Sequence, residues 1–133
     1  MKPGERRQWR LASRLDALAG LRSEVRDLAM AHGFADGAAD DLALCVHEAV
    51  SNAIVHGNRG DERERVEVDI VPQDSGLRVR VRNAGPGFDA ERLRAEADAG
   101  DRPRGRGMRI ISSLTSEFDW RDDGRELTFL KRP

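Results

Sequence analysis

The sequence predicts an α+β fold, a two-layer sandwich in which helices pack on one face of a mostly antiparallel mixed sheet. Two amphipathic segments with helical spacing stand together near the N-terminus, and two segments with alternating apolar residues follow them. The alternating segments carry charged residues at every second position, which is typical of a sheet that has one face in water. Helices that are segregated from strands along the chain are expected to cover one face of such a sheet.

The first predicted elements are a short strand and a long helix. Apolar and polar residues alternate over residues 9–12, which predicts the strand. Ser13 with Asp16 resembles a capping box and is expected to begin the helix, which ends near Gly33 through a C-terminal glycine signal. The apolar stripe of this helix recurs at three- and four-residue spacing: Leu18, Leu21, Val25 and Leu28.

A second helix follows directly. Asp36 or Asp40 is expected to cap its N-terminus, and Gly57 is expected to end it. Its buried stripe consists of small and medium apolar residues: Leu42, Cys45, Val46, Ala49 and Ala53. Cys45, the single cysteine of the chain, therefore counts as a core residue with no disulfide partner.

Two predicted hairpins make up most of the sheet. The first joins the alternating residues 66–70 and 77–81 through a turn at residues 72–76. The second lies near the C-terminus, with its turn at residues 122–124.

Residues 83–107 separate the two hairpins and break the pattern with five glycines and two prolines. A short helical piece is expected near residues 90–97, and a further helix is expected to begin after Gly107.

Composition limits the classes of function. The 133 residues fit one domain, 1–133, and the 23 basic and 24 acidic residues give a formal net charge of −1. This balance argues against direct nucleic-acid binding, which normally requires a basic face. No apolar run approaches the roughly 20 residues of a membrane span, and the N-terminus has no signal-peptide core. We therefore expect a cytoplasmic protein without a membrane partner.

Several familiar sites are absent from the sequence. There is no GxxxxGK[ST] motif, which excludes a P-loop enzyme. His47 and Glu48 begin like a zinc-protease helix, but position 51 is Ser51, so the second histidine is missing. The three histidines and the one cysteine form no cluster with zinc-ligand spacing.

The predicted second helix carries an unusual polar face. Glu48, Asn52 and His56 are spaced four residues apart and so share one side of the helix, next to its apolar stripe. From spacing alone, a solvated helix face is the simpler interpretation. That interpretation explains Asn52 poorly, because asparagine is a mediocre helix former and here has no capping role.

Two glycine-rich segments accompany this helix. One spans residues 83–89, directly after a predicted strand, and the other spans residues 104–108, directly before a predicted helix. Glycine allows the backbone to approach a ligand closely, and the free N–H groups of a helix N-terminus attract phosphate oxygens. Each segment alone is a weak signal, but together with the polar helix they indicate a nucleotide site.

These motifs resemble those of the ATPase superfamily that includes gyrase, the ninety-kilodalton heat-shock chaperone, histidine kinases and the MutL repair proteins. EAVSNAIVHG at residues 48–57 is similar to its N box, and GPGFD at 85–89 and GRGM at 105–108 are similar to its two glycine boxes. Within the superfamily the sequence resembles the anti-sigma factor serine/threonine-protein kinases, from Trp9 to Phe129. The resemblance implies the histidine-kinase-like ATPase fold and the binding of ATP with Mg²⁺.

The resemblance also implies roles for the polar residues of the second helix. Asn52 would bind the magnesium ion, and Glu48 would be the general base that activates the attacking hydroxyl or water. His56 is either a cap at the helix C-terminus or a ligand, and the two interpretations stay open.

The nucleotide contacts implied by the resemblance lie in the two glycine boxes. They are Gly85, Gly87, Gly105, Gly107 and Met108 through their backbones, and Arg106 as a charge neutraliser. Asn83 stands where the family usually has the aspartate that accepts a hydrogen bond from adenine. Its neutral amide is a weaker acceptor than a carboxylate, which puts base discrimination in question.

Three functions are compatible with these residues. The first is a protein kinase that phosphorylates a small antagonist protein and binds a sigma factor or similar regulator. The second is a nucleotide-dependent switch that changes partners without phosphorylating them. The third, a fragment of a histidine kinase, ranks last because no phosphoacceptor helix precedes the domain. By analogy with the family we expect a homodimer, and we expect the wet sheet face and the first helix to contact partners.

Overall fold

Apolar residues alternate along the central strands, so that one side of the sheet is buried and the other carries charge. The computed structural model describes residues 6–59, 61–85, 103–122 and 124–133. Its elements are β1 (Arg7–Ala12), α1 (Leu18–Ala31), α2 (Asp36–Asn52), β2 (Arg65–Gln73), β3 (Gly76–Asn83), α3 (Pro103–Leu114), β4 (Ser116–Arg121) and β5 (Glu126–Lys131). The strands form one sheet in the order β1-β2-β3-β5-β4, and each described pairing is antiparallel. The α+β prediction is confirmed.

The core lies between the sheet and the three helices. Val68 pairs with Val81 and Val79 pairs with Phe129, which puts these side chains on the same buried face. They join the apolar stripes of the helices in one cluster that includes Val25, the fully buried Cys45 and other residues. Burial in this cluster raises the pKa of the Cys45 thiol to about 12, so the prediction of a core cysteine is confirmed.

The opposite face of the sheet carries rows of charge across the strands. Arg6 donates to Asp69 at 2.7 Å, and Arg80 lies 3.9 Å from the same carboxylate. Glu126 lies 3.6 Å from both Arg80 and Arg82. Exposed pairs of this kind contribute from about 0 to 1 kcal/mol each, so the buried face rather than this one holds the sheet on the helices.

The predicted helix caps are wrong. Ser13 accepts from Asn58 and donates to the Glu64 carbonyl, and α1 begins after a short 3₁₀ turn at Leu15–Ala17. The N-cap of α2 is Ala35, with no side-chain cap. The carboxylates of Asp36 and Asp40 instead bind Arg26 of α1, which ties the two helices together.

The predicted ends and turns agree better with the structure. Gly33 follows α1 with a φ of 87°, the left-handed conformation that ends a helix. The first hairpin turns at Asp74 and Ser75, whose φ values of 52° and 63° match a tight two-residue turn. The second hairpin also forms as predicted, although Asp123 in its turn lies outside the described residues.

The third helix begins earlier than predicted. It starts at Pro103 rather than after Gly107, so Gly105 and Gly107 lie within the helix and not in a loop before it. Proline suits the first position of a helix because its fixed φ is helical and its missing N–H has no partner there. The helical piece expected near residues 90–97 lies outside the described residues. Among the described segments, no helix is both long and apolar enough to cross a membrane.

Candidate functional site

The C-terminal end of α2 carries the polar face seen in the sequence. Glu48 is half-buried, and only 7% of Asn52 is exposed, so a fully solvated face is the wrong interpretation. After Asn52 the chain makes one π-helical turn, Ala53–Gly57, closed by a 2.8 Å bond from the Asn58 N–H to the Ala53 carbonyl. This turn ends at Gly57, as predicted. Single π turns within helices are frequent at functional sites.

The helix α3 packs directly on Glu48 and Asn52. A Cβ atom built on Gly107 would lie 2.7 Å from Glu48 Oε2 and 3.6 Å from Asn52 Nδ2. The amide nitrogen of Asn52 also donates to the sulfur of Met108 at 3.1 Å. The structure therefore brings together four of the predicted site residues, and a side chain at position 107 would displace the carboxylate of Glu48.

The first glycine box meets the same helix end from the side of the sheet. Asn83 is the last residue of β3, is 2% exposed, and lies against Gly57, where an added Cβ would come within 2.5 Å of its side chain. Its neighbour in this segment, Gly85, donates its N–H to Asn58 Oδ1 at 2.7 Å. Asn52 and Asn83, two of the predicted nucleotide contacts, thus lie on either side of the π-helical turn Ala53–Gly57.

The side chain of Asn83 has an unsatisfied donor. Its Nδ2 atom is buried and has no hydrogen-bond partner among the residues that the structure describes. Leaving a buried donor unpaired costs about 1–3 kcal/mol, which makes such groups rare in folded proteins. A ligand that offers an acceptor at this position removes the cost.

A small recess lies beside this donor. Asn83 and Asn52 supply amide groups to its lining, and the apolar part includes Ala49, Ala53, Val81, Leu127 and Trp120. Apolar walls with a few well-placed polar groups are the usual composition of a small-molecule site. The recess itself is small, with room for about one water molecule, so its lining has the composition of a base site but a ring enters only if these side chains move apart.

Three of the predicted residues are described incompletely or not at all. Gly87 lies outside the described residues, and the structure describes only the backbone of Gly105 and Arg106, which belongs to α3. His56 is half-buried in the π-helical turn, and its role stays a prediction.

Two residues that hold the site together were not found from the sequence. They are Asn58, which accepts from Gly85, and Arg125, whose Nε donates to the Gly85 carbonyl at 2.9 Å. The sequence offers one signal for Asn58, which is that this polar residue directly follows the N box. Arg125 comes from the last hairpin, 40 residues away from Gly85, and no local pattern marks it.

Comparison with known proteins agrees with the motifs. The family model of the histidine kinase-like ATPase domain matches residues 11–131. The serine-protein kinase RsbW of Listeria monocytogenes serovar 1/2a is 29% identical over 119 residues, 83% of this chain and 76% of that protein. The serine-protein kinase RsbW of Listeria innocua serovar 6a is 32% identical over 75 residues, 56% of this chain and 48% of that protein. The second match therefore spans about half the length of the relative.

Two glycine substitutions should differ sharply in their effect on stability. In Gly85→Ala the new methyl group would meet the backbone of Gly57 and Asn58 at 2.6–2.7 Å, so we expect a loss of about 2–3 kcal/mol in the free energy of unfolding. In Gly107→Ala the nearest atom is the movable end of Glu48, so we expect a change within about 0.5 kcal/mol. Urea denaturation of both variants measures this, and equal losses would contradict the described contacts.

Proposed function

The chain belongs to the histidine kinase-like ATPase domain family, and on this premise we propose that it is an ATP-dependent serine/threonine-protein kinase that acts as an anti-sigma factor. One observation carries the proposal. The carboxylate of Glu48 lies beside Asn52 and against Gly107 of α3, which combines a base, a metal-binding oxygen and a close backbone approach. The similarity to proteins named serine-protein kinase supports the same activity.

The residues at the end of α2 fit a magnesium ion that is held mainly by phosphates. Mg²⁺ usually takes one or two protein oxygens, with phosphate and water oxygens as its other ligands. The described residues contain no group of three or more histidine, cysteine, aspartate or glutamate side chains that could hold a metal ion alone. We assign the metal to the amide oxygen of Asn52, whose amide nitrogen donates to Met108. The metal would supply charge neutralisation to the phosphates.

Glu48 is the general base in this proposal. A serine hydroxyl of the substrate attacks the γ-phosphorus of ATP, its proton passes to Glu48, and the bond from that phosphorus to the ADP oxygen breaks. Enzymes catalyse such transfers mainly by positioning and by stabilising charge. The N-terminus of α3 favours phosphate oxygens because its first N–H groups have no partner within the helix. Gly107 allows this helix to lie directly on Glu48.

The recess beside Asn83 is the base site in this proposal. Its side chains would move apart to admit a purine, the apolar walls would cover the faces of the ring, and the unpaired Nδ2 donor of Asn83 would meet an acceptor on the ring edge. Adenine offers its N1 atom and guanine offers its O6 atom. Either purine therefore satisfies the donor.

The partners of the proposed kinase are a sigma factor or similar regulator and a small antagonist protein that receives the phosphate. Because the nucleotide site occupies the C-terminal end of α2, we place the contacts with partner proteins on the charged face of the sheet and on α1. We also propose a homodimer, by analogy with the family.

Substitutions in α2 should separate ATP binding from phosphoryl transfer. Asn52→Ala removes the metal-binding oxygen and should weaken magnesium-dependent ATP binding at least tenfold. Glu48→Gln keeps the shape but not the base, so it should bind ATP like the wild type and lose transfer. Calorimetry with and without Mg²⁺, and labelled phosphate incorporation into antagonist proteins, measure the two effects. Unchanged ATP affinity in Asn52→Ala would contradict the assignment of Asn52 as the magnesium ligand. Nucleotide-dependent binding of a sigma factor without any phosphorylated serine would favour the switch.

Base selectivity should depend on residue 83. An asparagine carries both a donor and an acceptor, whereas an aspartate at this place only accepts and so repels the guanine carbonyl. We expect the wild type to prefer ATP over GTP by less than the variant Asn83→Asp does. Competition binding of the two nucleotides measures this preference. A wild type that already excludes GTP by a hundredfold, about 2.7 kcal/mol, would contradict the idea.

A further inference from the structure

We propose that Asn58 is a positioning residue of the nucleotide site, which holds the segment from Asn83 to Gly85 in place for the base without touching the nucleotide. Only 1% of Asn58 is exposed, and both the nitrogen and the oxygen of its side-chain amide already have partners within the chain, so it has no donor left for a ligand. The inference rests on the nucleotide site of the proposed function but not on phosphoryl transfer.

The side-chain amide of Asn58 uses both of its donor hydrogens and accepts one hydrogen bond, in one orientation. Its Oδ1 atom accepts from the Gly85 N–H at 2.7 Å, and its Nδ2 atom donates to Ser13 Oγ at 2.7 Å and to the Arg65 carbonyl at 3.2 Å. A backbone N–H only donates and a backbone carbonyl only accepts, so the amide cannot be reversed. The hydroxyl of Ser13 in turn donates to the Glu64 carbonyl at 2.9 Å.

Gly85 is held from both sides by this arrangement. Asn58 binds its N–H, and the Nε atom of Arg125 binds its carbonyl at 2.9 Å. The Arg125 carbonyl also accepts from the Asn83 N–H at 2.9 Å. A Cβ on Gly85 would lie 2.5 Å from Asn58 Oδ1, so a side chain at this position would collide with the Asn58 amide. Two side chains from distant parts of the sequence thus clamp one residue, by the peptide groups on either side of it.

The clamp acts on Asn83, two residues before Gly85. The side chain of Asn83 rests on Gly57, the residue before Asn58, and its buried donor lies in the recess proposed for the base. If Gly85 is released, the end of β3 gains freedom and Asn83 loses its fixed position. Glu48 and Asn52 lie on α2 and are held by α3, which is separate from these bonds. Loss of Asn58 should therefore weaken base recognition and leave the metal dependence of binding unchanged.

Ser13→Ala is the matched control for Asn58→Ala. It removes two hydrogen bonds of the same buried network, those of the Ser13 hydroxyl with Asn58 and with the Glu64 carbonyl, but leaves the bond to Gly85 in place. Both variants should be less stable than the wild type. Only Asn58→Ala should weaken ATP binding, by about tenfold, with the ratio of affinities with and without Mg²⁺ unchanged. Ser13→Ala should stay within about twofold of the wild type. Nucleotide affinity is measured by calorimetry on the full chain, well below the unfolding temperature of each variant.

Arg125→Met provides a second route if Asn58→Ala does not fold. It removes the other bond to Gly85 from a side chain that is partly exposed, and should weaken ATP binding in the same direction. The amide proton of Gly85 reports the clamp without nucleotide, since it should exchange faster in Asn58→Ala and not in Ser13→Ala. Wild-type ATP affinity in both Asn58→Ala and Arg125→Met, or equal losses in Asn58→Ala and Ser13→Ala, would overturn the proposal. These experiments measure nucleotide binding alone. A wild type that transfers no phosphate would therefore contradict the proposed kinase activity, and the role of Asn58 could still be tested.

Discussion

Close contact between backbone and side chains at the C-terminal end of α2 is the constraint on which the site depends. Three glycines meet it: Gly57 lies against Asn83, Gly85 lies against Asn58, and Gly107 lies against Glu48. A methyl group at any of these positions would come within 2.7 Å of a neighbouring atom. The contacts join α2 to β3 on one side and to α3 on the other. They bring together residues that the chain separates by more than 50 positions, as Asn52 and Met108 are.

The same packing explains why polar groups survive in the interior at this place. Asn52, Asn58 and Asn83 are all buried, and each is in a different state. Asn58 has partners for its whole amide, Asn52 donates to a weak sulfur acceptor, and Asn83 Nδ2 has no partner among the described residues. A fully satisfied amide is a structural anchor, whereas an unsatisfied one costs stability unless a ligand completes it. This difference in hydrogen bonding separates Asn58, which builds the site, from Asn52 and Asn83, which we assign to ligand binding.

The fold was predictable because its signals are local. Alternation along β2 and β3 and the stripe of α1 follow from burial of one face, and the left-handed Gly33 ends a helix in any context. The caps failed because Ser13 and Asp40 found partners in other elements, Asn58 and Arg26, and no spacing rule reports such partners. Within the site, the N box showed Glu48 and Asn52. Asn58 and Arg125 stayed hidden because their bonds to Gly85 span 27 and 40 residues.

Mapping of backbone and side-chain amide resonances on addition of ATP and Mg²⁺ tests the central claim most directly. The claim is that one nucleotide lies across the end of α2, with its base beside Asn83 and its phosphates beside Asn52 and the start of α3. The account predicts the largest shifts at the side-chain amides of Asn52 and Asn83 and at the backbone amides of Gly85 and of Arg104, Gly105 and Arg106 in the first turn of α3. It also predicts that the Asn83 side-chain amide gains protection from exchange, because its unpaired donor finds an acceptor. Shifts confined to the charged face of the sheet, or an Asn83 amide that does not respond to nucleotide, would contradict it.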